Sequence, residues 1–159
     1  MDEPQTVGAD RIINTLAASR IYKCDCIVVD LGTATTYDCI TAEGVFLGGV
    51  IQPGVRTSAE TLFRRTSKLP ATELQAPKKV IGTRTEECIR AGVVFGAADS
   101  LDGIVRRIKR DWPRKQVPKV IATGGLASVI KPHCEQIELV EPDLTLHGLR
   151  MAHEILTQK

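Results

Sequence analysis

The chain has 159 residues, 43% of them hydrophobic and 25% charged, with a formal net charge of +2. That is enough chain for one domain with its own core, and the composition is that of an ordinary globular protein. A charge this close to neutral excludes an electrostatic case for nucleic-acid or membrane partners, and no apolar run approaches membrane-spanning length.

Aromatic residues make up only 4% of the chain, so the core must be built from Ile, Val, Leu and Ala. The start, Met1-Asp2-Glu3-Pro4-Gln5, is acidic and has no apolar segment of the kind a signal peptide needs. The five cysteines, 24, 26, 39, 88 and 134, contain no Cys-x-x-Cys pair. Cys24 and Cys26 share one side of a strand, a poor arrangement for zinc or a disulfide. Buried or half-buried reduced thiols in a cytoplasmic protein are therefore expected.

From Ala9 to Tyr22 the apolar residues fall at 12, 13, 16, 17 and 21, a helical period. Cys26 to Asp30 is a short continuous apolar run, a buried strand. Thr35 to Thr41 alternates and is β-branched, and Ala42-Glu43-Gly44 turns the chain back into Val45 to Gln52, completing an antiparallel meander. Pro53-Gly54 breaks the sheet, and Val55 to Arg65 is helical. Ser67 to Lys79, with Pro70 and Pro77, has little periodicity and is read as a surface loop. Thr83 to Arg110 is a long helix with Thr83 as the expected N-cap, open to bending at Gly92, Gly96 or Gly103. Val117 to Thr123 is a strand, followed by Gly124-Gly125 and a short helix to Ile130. Ile137 to Val140 is a last short strand, and Leu144 to Leu156 a closing amphipathic helix.

The later strands alternate with helices and should join the sheet in parallel. The expected fold is α/β: a mixed five-stranded sheet with flanking helices, one lobe of the actin-like, sugar-kinase and heat-shock ATPase (ribonuclease H-like) fold, in a single domain over 1–159.

The run Val28-Val29-Asp30-Leu31-Gly32-Thr33-Ala34-Thr35-Thr36 carries the strongest chemical signal. A buried strand ends in a carboxylate, then turns through glycine into hydroxyl residues. Backbone N–H groups in such a turn, with threonine hydroxyls beside them, suit phosphate oxygens. The carboxylate can hold a cation that neutralises them. Asp30 is thus a cation ligand and Thr33 a phosphate contact, unless the turn is rich in threonine only for its β-propensity. Thr123-Gly124-Gly125-Leu126 follows a strand and opens a helix, where a ligand can approach the backbone closely. A plain glycine turn would look the same. Combined with Asp30, it becomes the nucleoside side of one nucleotide site.

Gly8-Ala9-Asp10-Arg11 opens the first helix. Asp in a first turn with an exposed Arg beside it is ordinary helix chemistry. The pair also suits binding of a carboxylate-bearing substrate by Arg11 and proton removal from a hydroxyl by Asp10. Gly48-Gly49-Val50-Ile51-Gln52-Pro53-Gly54 ends a strand with a permissive backbone, through a bulge and a Pro-Gly turn or as part of a site. The seven basic residues between Arg106 and Lys119 are read as cations on a solvated helix end. His133, His147 and His153 fit no metal spacing and are expected at the surface.

These motifs in this order, with Ile81-Gly82-Thr83-Arg84-Thr85 and the ending Pro142-Asp143-Leu144-Thr145-Leu146-His147-Gly148-Leu149, resemble type III pantothenate kinase over nearly the whole chain. The resemblance implies transfer of the ATP γ-phosphoryl group to the primary hydroxyl of pantothenate, the first step of coenzyme A biosynthesis. Mg2+ and a monovalent cation, K+ or NH4+, are implied as cofactors. Asp10 resembles the general base. Gly8, Asp10, Arg11, Ile51 and Thr85 resemble the pantothenate contacts, with Thr85 reaching toward a neighbouring subunit of a homodimer. Asp30 resembles the cation ligand, Thr33 a phosphate contact, and Gly124 and Gly125 the adenosine motif. Family members open with a further lobe bearing an Asp-x-Gly-Asn-Thr type phosphate loop, which this sequence lacks. The expectation is a C-terminal half with little or no activity of its own: a fragment of a longer enzyme, one half of a split enzyme that a separate N-terminal lobe would complete, or a degenerate product retaining its dimer face. The other class to weigh is a non-catalytic regulatory protein of the Bvg accessory factor type.

Overall fold

The structure, a computed structural model, describes residues 3–66 and 69–158. Met1, Asp2, Ser67, Lys68 and Lys159 lie outside the described residues, and with them the first residues of the acidic start and of the proline-bearing loop.

After a 3-10 turn at Pro4–Thr6, the chain runs α1 (Ala9–Tyr22), β1 (Cys26–Leu31), β2 (Ala34–Ile40), β3 (Phe46–Pro53), α2 (Val55–Arg65), α3 (Thr85–Arg110), β4 (Lys119–Thr123), α4 (Ala127–Ile130), β5 (Leu139–Val140) and α5 (Leu144–Thr157). The sheet order is β3-β2-β1-β4-β5. β1 pairs antiparallel with β2 and parallel with β4, β2 pairs antiparallel with β3, and β4 pairs parallel with β5. This is the mixed five-stranded sheet that the element order implied.

Side-chain alternation along β1 splits the core in two. Ile27, Val29 and Leu31 point to the face covered by α3, where Tyr37, Val94, Leu101, Val105 and Val120 join them. Cys26 and Val28 point to the other face, covered by α1 and α5, with Ala17, Ala18, Ile40, Ile121 and Leu144. Each fully buried aliphatic side chain contributes about 1.5–3 kcal/mol. α5 lies very close on α1: a Cβ on Gly148 would collide with the Ile13 carbonyl oxygen, so only glycine admits this crossing.

Several local expectations are corrected. The N-cap of α3 is Arg84, not Thr83, because Thr83 and the Arg84 N–H both donate to the Glu87 carboxylate. The strands expected at Val117 and Ile137 begin at Lys119 and Leu139. Cys88 is exposed rather than buried. Cys24 and Cys26 bring their sulfurs within 3.9 Å of each other, unbonded. His133 is half-buried, edge-on to Phe95 with ring centroids 5.2 Å apart. The glycine-rich β3 does carry a bulge, with the register shifting opposite Cys39/Ile40 and Gly48 at φ +133°. Among the described residues, no helix is long and apolar enough to cross a membrane.

Candidate functional site

The site forms where the carboxyl ends of parallel β1 and β4 meet the N-terminus of α1. β1 ends at Asp30-Leu31 and turns through Gly32-Thr33; β4 ends at Thr123 and turns through Gly124-Gly125. Open α/β sheets collect ligands at such strand ends. The two turns touch. Gly124 has φ +91°, and a Cβ there would stand 2.6 Å from Asp30 Oδ1 and 2.8 Å from the Leu31 backbone nitrogen. Gly125 faces open space. The two sequence motifs are therefore parts of one feature, and only the first glycine is required by the packing.

Thr33 is exposed at the tip of the β1–β2 turn. Its carbonyl accepts the Gly54 N–H at 3.1 Å and the Thr57 hydroxyl at 2.7 Å, which ties the turn to the start of α2. Gly54 can have no side chain, since a Cβ would overlap that carbonyl. A cavity of about 350 Å³ opens here, lined by Gly32, Thr33, Arg56, Thr57, Glu60 and Gly125 among others. Thr35, another threonine of the run, is absent from it: its side chain is on the core face of β2 and only 1% exposed.

Asp30 is half-buried on the α1 face. Its Oδ2 accepts from the Asn14 side-chain amide at 3.3 Å, and Asn14 Oδ1 accepts the Thr145 hydroxyl at 2.7 Å. Burial pushes the Asp30 carboxyl above the usual range; the Asn14 hydrogen bond opposes this, and the nearby Asp10 charge adds to it.

Asp10 is exposed in the first turn of α1, where its Oδ1 accepts the Arg11 N–H at 2.9 Å. A Cβ on Gly8 would sit 2.6 Å from that oxygen, so the glycine leaves Asp10 its position. Arg11 does the opposite of what an ordinary helix start suggests. Its side chain turns inward, is 11% exposed, and donates Nε to Asp38 Oδ1 at 2.6 Å across from β2. The guanidinium carbon is 5.0 Å from the Phe46 ring centroid. Gly49 makes room for it, since a Cβ there would meet Nη2 at 2.6 Å. Arg11 Nη2 and Asp38 Oδ2 are buried with no partner among the described residues. Burial pushes the Asp38 carboxyl up to about 6, against the pull of the Arg11 hydrogen bond and charge, with Asp10 and Asp30 adding to the rise.

Ile51 pairs with Thr36 and so shares the α1 face with Asp38 and Asp30; it is 62% exposed. Thr85 stands apart. It opens α3 on the opposite side of the sheet, at the rim of a mainly apolar cavity of about 620 Å³ with Gln52, Ser58, Cys88, Gly92 and Gly96. The structure thus brings Gly8, Asp10, Arg11, Asp30, Ile51 and Gly124 to one edge, places Thr33 and Gly125 at the adjoining cavity, and leaves Thr85 elsewhere.

Four residues of this neighbourhood were not singled out from sequence: Asn14, Asp38, Arg56 and Thr145. Two left a trace. Asp38 is a carboxylate inside a strand, where Asp is depleted. Asn14 lies one helical turn beyond Asp10, on the same side of α1.

A sequence model of the type III pantothenate kinase family matches residues 1–107. A type III pantothenate kinase of Rhodococcus opacus (strain B4) is 47% identical over 156 residues, 97% of this chain and 58% of that protein. One from Syntrophus aciditrophicus (strain SB) is 47% identical over 153 residues, 96% of this chain and 59% of that one. The chain therefore spans under two thirds of these relatives. A Baf family protein from Campylobacter jejuni superposes with a TM-score of 0.68 at 22% identity, covering 98% of this chain and 68% of that one. The ethanolamine utilization protein EutJ from Carboxydothermus hydrogenoformans gives 0.50 at 20% identity, covering 85% and 52%. At such identities the likeness concerns the fold, that of one lobe of the actin-like ATPases.

Proposed function

The chain belongs to the type III pantothenate kinase family, and we propose that it carries the substrate-binding half and part of the nucleotide site of ATP-dependent pantothenate phosphorylation. One observation carries this reading: Asp30 touches the Gly124 turn through one carboxylate oxygen and is tied to the Asp10 helix, via Asn14, through the other.

In this reading the nucleotide phosphates lie over the Gly32-Thr33 turn, with Thr33 as a direct contact and Arg56 able to reach them across the same cavity. The adenosine side approaches the backbone at Gly124 and Gly125. The pantothenate hydroxyl is presented to Asp10, whose exposed carboxylate takes up the proton as the oxygen bonds to the γ-phosphorus and the bond from that phosphorus to the β–γ bridging oxygen breaks, releasing ADP. Arg11, fixed by Asp38 through Nε and buried at Nη2, has Nη1 left to meet the carboxylate or amide end of the substrate. Gly8 and Ile51 complete that surface.

The cation site fits in part. Asp30 Oδ1 receives no donor from the described residues, and a carboxylate oxygen suits Mg2+, K+ or NH4+. Among the described residues no cluster of three His, Cys, Asp or Glu side chains stands there, so Asp30 would be one ligand among others, with phosphate oxygens and water suited to add to it. A cation bound there would neutralise phosphate charge. Asp30 is the residue that would hold it.

The rest of the enclosure belongs to the portion of the relatives that this chain does not span. We therefore assign the chain alone little activity. We assign it a cytoplasmic place, a homodimer whose second subunit receives Thr85, and an N-terminal lobe as the partner that completes the site. A regulatory, DNA-binding reading has less support. In the basic stretch, Arg106, Arg110 and Arg114 pair with Glu135, Asp111, and Asp25 with Glu43, while Lys109 donates to Gln136.

Mixing the chain with a separately produced N-terminal lobe of a close relative, then following ATP-dependent phosphorylation of radiolabelled pantothenate, tests the proposal. Activity in the mixture and not in either part supports it. A mixture that assembles and turns over no pantothenate overturns it.

A further inference from the structure

We propose that Asn14 and Thr145 are positioning residues for the Asp30 carboxylate, so that the closing helix α5 sets the orientation of the cation ligand. The inference rests on the reading of Asp30 given above and extends it to Asn14, which no motif contains, and to Thr145, which stands in the closing motif with no role assigned to it.

Asn14 is 1% exposed, deep between α1, β1 and α5. A buried primary amide is costly unless both its ends are satisfied. Here both are. Thr145 donates its hydroxyl to Asn14 Oδ1 at 2.7 Å, and Asn14 Nδ2 donates to Asp30 Oδ2 at 3.3 Å. The orientation of the amide follows from chemistry: an ionised carboxylate only accepts, so it must face the NH2 end, and the hydroxyl serves the oxygen end. Exchanging the two ends would set oxygen against oxygen.

The consequence falls on Asp30. With Oδ2 held by Asn14, Oδ1 is the oxygen left where the two turns meet, and Gly124 yields it space: a Cβ there would stand 2.6 Å from it, whereas one at Gly32 would make ordinary contact at 3.5 Å. One oxygen is anchored and the other presented. Hydrogen bonds to ligating carboxylates from outside the coordination sphere act in this way on metal affinity.

α5 can supply the hydroxyl only because it lies so close to α1. Thr145 is in its first turn, and Gly148, one turn on, is pressed against the Ile13 carbonyl beside Asn14. Asp10 and Asn14 are four residues apart on α1, so the same helix face carries the proposed base and the brace of the proposed cation ligand.

The test uses thallium(I), an NMR-active substitute for K+, titrated into the chain in the presence of ATP, for the wild type and four variants. Asp30→Asn should abolish thallium binding. Asn14→Leu should weaken it about 10–100-fold, the usual span for loss of a partner behind a ligand. Thr145→Val, nearly isosteric at a half-buried position, should weaken it several-fold, by about half as many decades, while Thr145→Ser retains wild-type affinity. In 15N spectra the Asn14 side-chain amide signals should shift in Asp30→Asn and Thr145→Val and not in Thr145→Ser. Loss in Asp30→Asn alone, with Thr145→Val and Asn14→Leu binding as wild type, overturns the brace and leaves the reading of Asp30 standing. Thallium binding that is absent in the wild type, or that persists in Asp30→Asn, overturns the reading of Asp30 and the brace with it. Asn14 amide signals indifferent to Asp30→Asn overturn the brace whatever thallium does.

Discussion

Arg11 and Asp38 meet through a single 2.6 Å bond and leave one polar atom each, Nη2 and Oδ2, buried and without a partner among the described residues. Half-satisfied buried pairs are expensive, and well-packed apolar residues often replace them without loss. This pair is therefore better understood by what it positions than by the stability it adds. It fixes a cationic group under Phe46 and beside Gly49, one residue along from the exposed Asp10.

Breaking the pair from one side should be severe. Arg11→Ala leaves Asp38 without its counter-charge at zero exposure, and above the Asp38 titration the expected loss is about 3–5 kcal/mol of unfolding free energy by urea denaturation. The pH dependence has a definite sign. The Asp38 carboxyl titrates near 6 in the folded chain, against an ordinary value of 3.8, so the native state holds the extra proton between those values. Its contribution to stability is fully present below about 3.8 and lost as pH rises through about 6. Arg11→Ala should move the folded titration further up, and Asp38→Asn should flatten the stability profile across that window. Carbon-13 carboxyl titration together with melts at stepped pH would check both.

The two glycines of the second turn should separate cleanly. Gly124→Ala forces a side chain into a positive-φ position and against Asp30 Oδ1 and the Leu31 backbone, and should cost more than about 1 kcal/mol together with nucleotide binding. Gly125→Ala meets nothing within 4 Å, and should melt as the wild type does. Equal melting temperatures for the two variants would contradict the packing described.

The sheet could be read from sequence because each strand carried a local signal: β1 a continuous apolar run, β2 an alternation, β3 a Pro-Gly stop. Asp30 and the glycine pair were legible for the same reason, a carboxylate or a Gly-Gly placed directly after a strand. Their contact was not. Asp30 and Gly124 are remote in the chain and meet only because a crossover makes β1 and β4 parallel partners, with Asp30 opposite Thr123. Arg11 looked exposed because a helix start usually is; its acceptor, Asp38, lies 27 residues away on β2. Asn14 and Thr145, 131 residues apart, are polar positions in otherwise amphipathic helices, and only the α1–α5 crossing gives them meaning.

At the far end of the sheet, Asp25 shows how differently two members of one ion pair can count. It is 1% exposed and accepts from the Ala42 N–H, Trp112 Nε1 and Arg114 Nη1. Asp25→Ala strands the Ala42 N–H and Trp112 Nε1 and should cost about 1–3 kcal/mol for each one left without a partner, while Arg114 keeps Glu43. Arg114 is over a third exposed and its other partner, Glu43, is solvated, so Arg114→Ala should cost less than Asp25→Ala. Chemical denaturation of the two variants side by side decides it, and a larger loss for Arg114→Ala would reverse this assignment.

The proposed chemistry separates Asp10 from Arg11, although they are neighbours. Asp10 is exposed, accepts the Arg11 N–H as its one hydrogen bond among the described residues, and has a glycine beside it that leaves its carboxylate room. Asp10→Asn should therefore leave the melting temperature of the chain nearly unchanged. In an assembly completed by the N-terminal lobe, it should lower turnover by about two to four orders of magnitude with little change in substrate affinity, the span expected of general acid–base catalysis. Arg11→Gln removes the charge that faces the substrate and should act first on the Michaelis constant for pantothenate, with a stability loss that Asp10→Asn lacks. Steady-state kinetics and melts on the two variants test the division. Wild-type turnover in Asp10→Asn would remove Asp10 from the reaction, and an unchanged Michaelis constant in Arg11→Gln would confine Arg11 to holding Asp38.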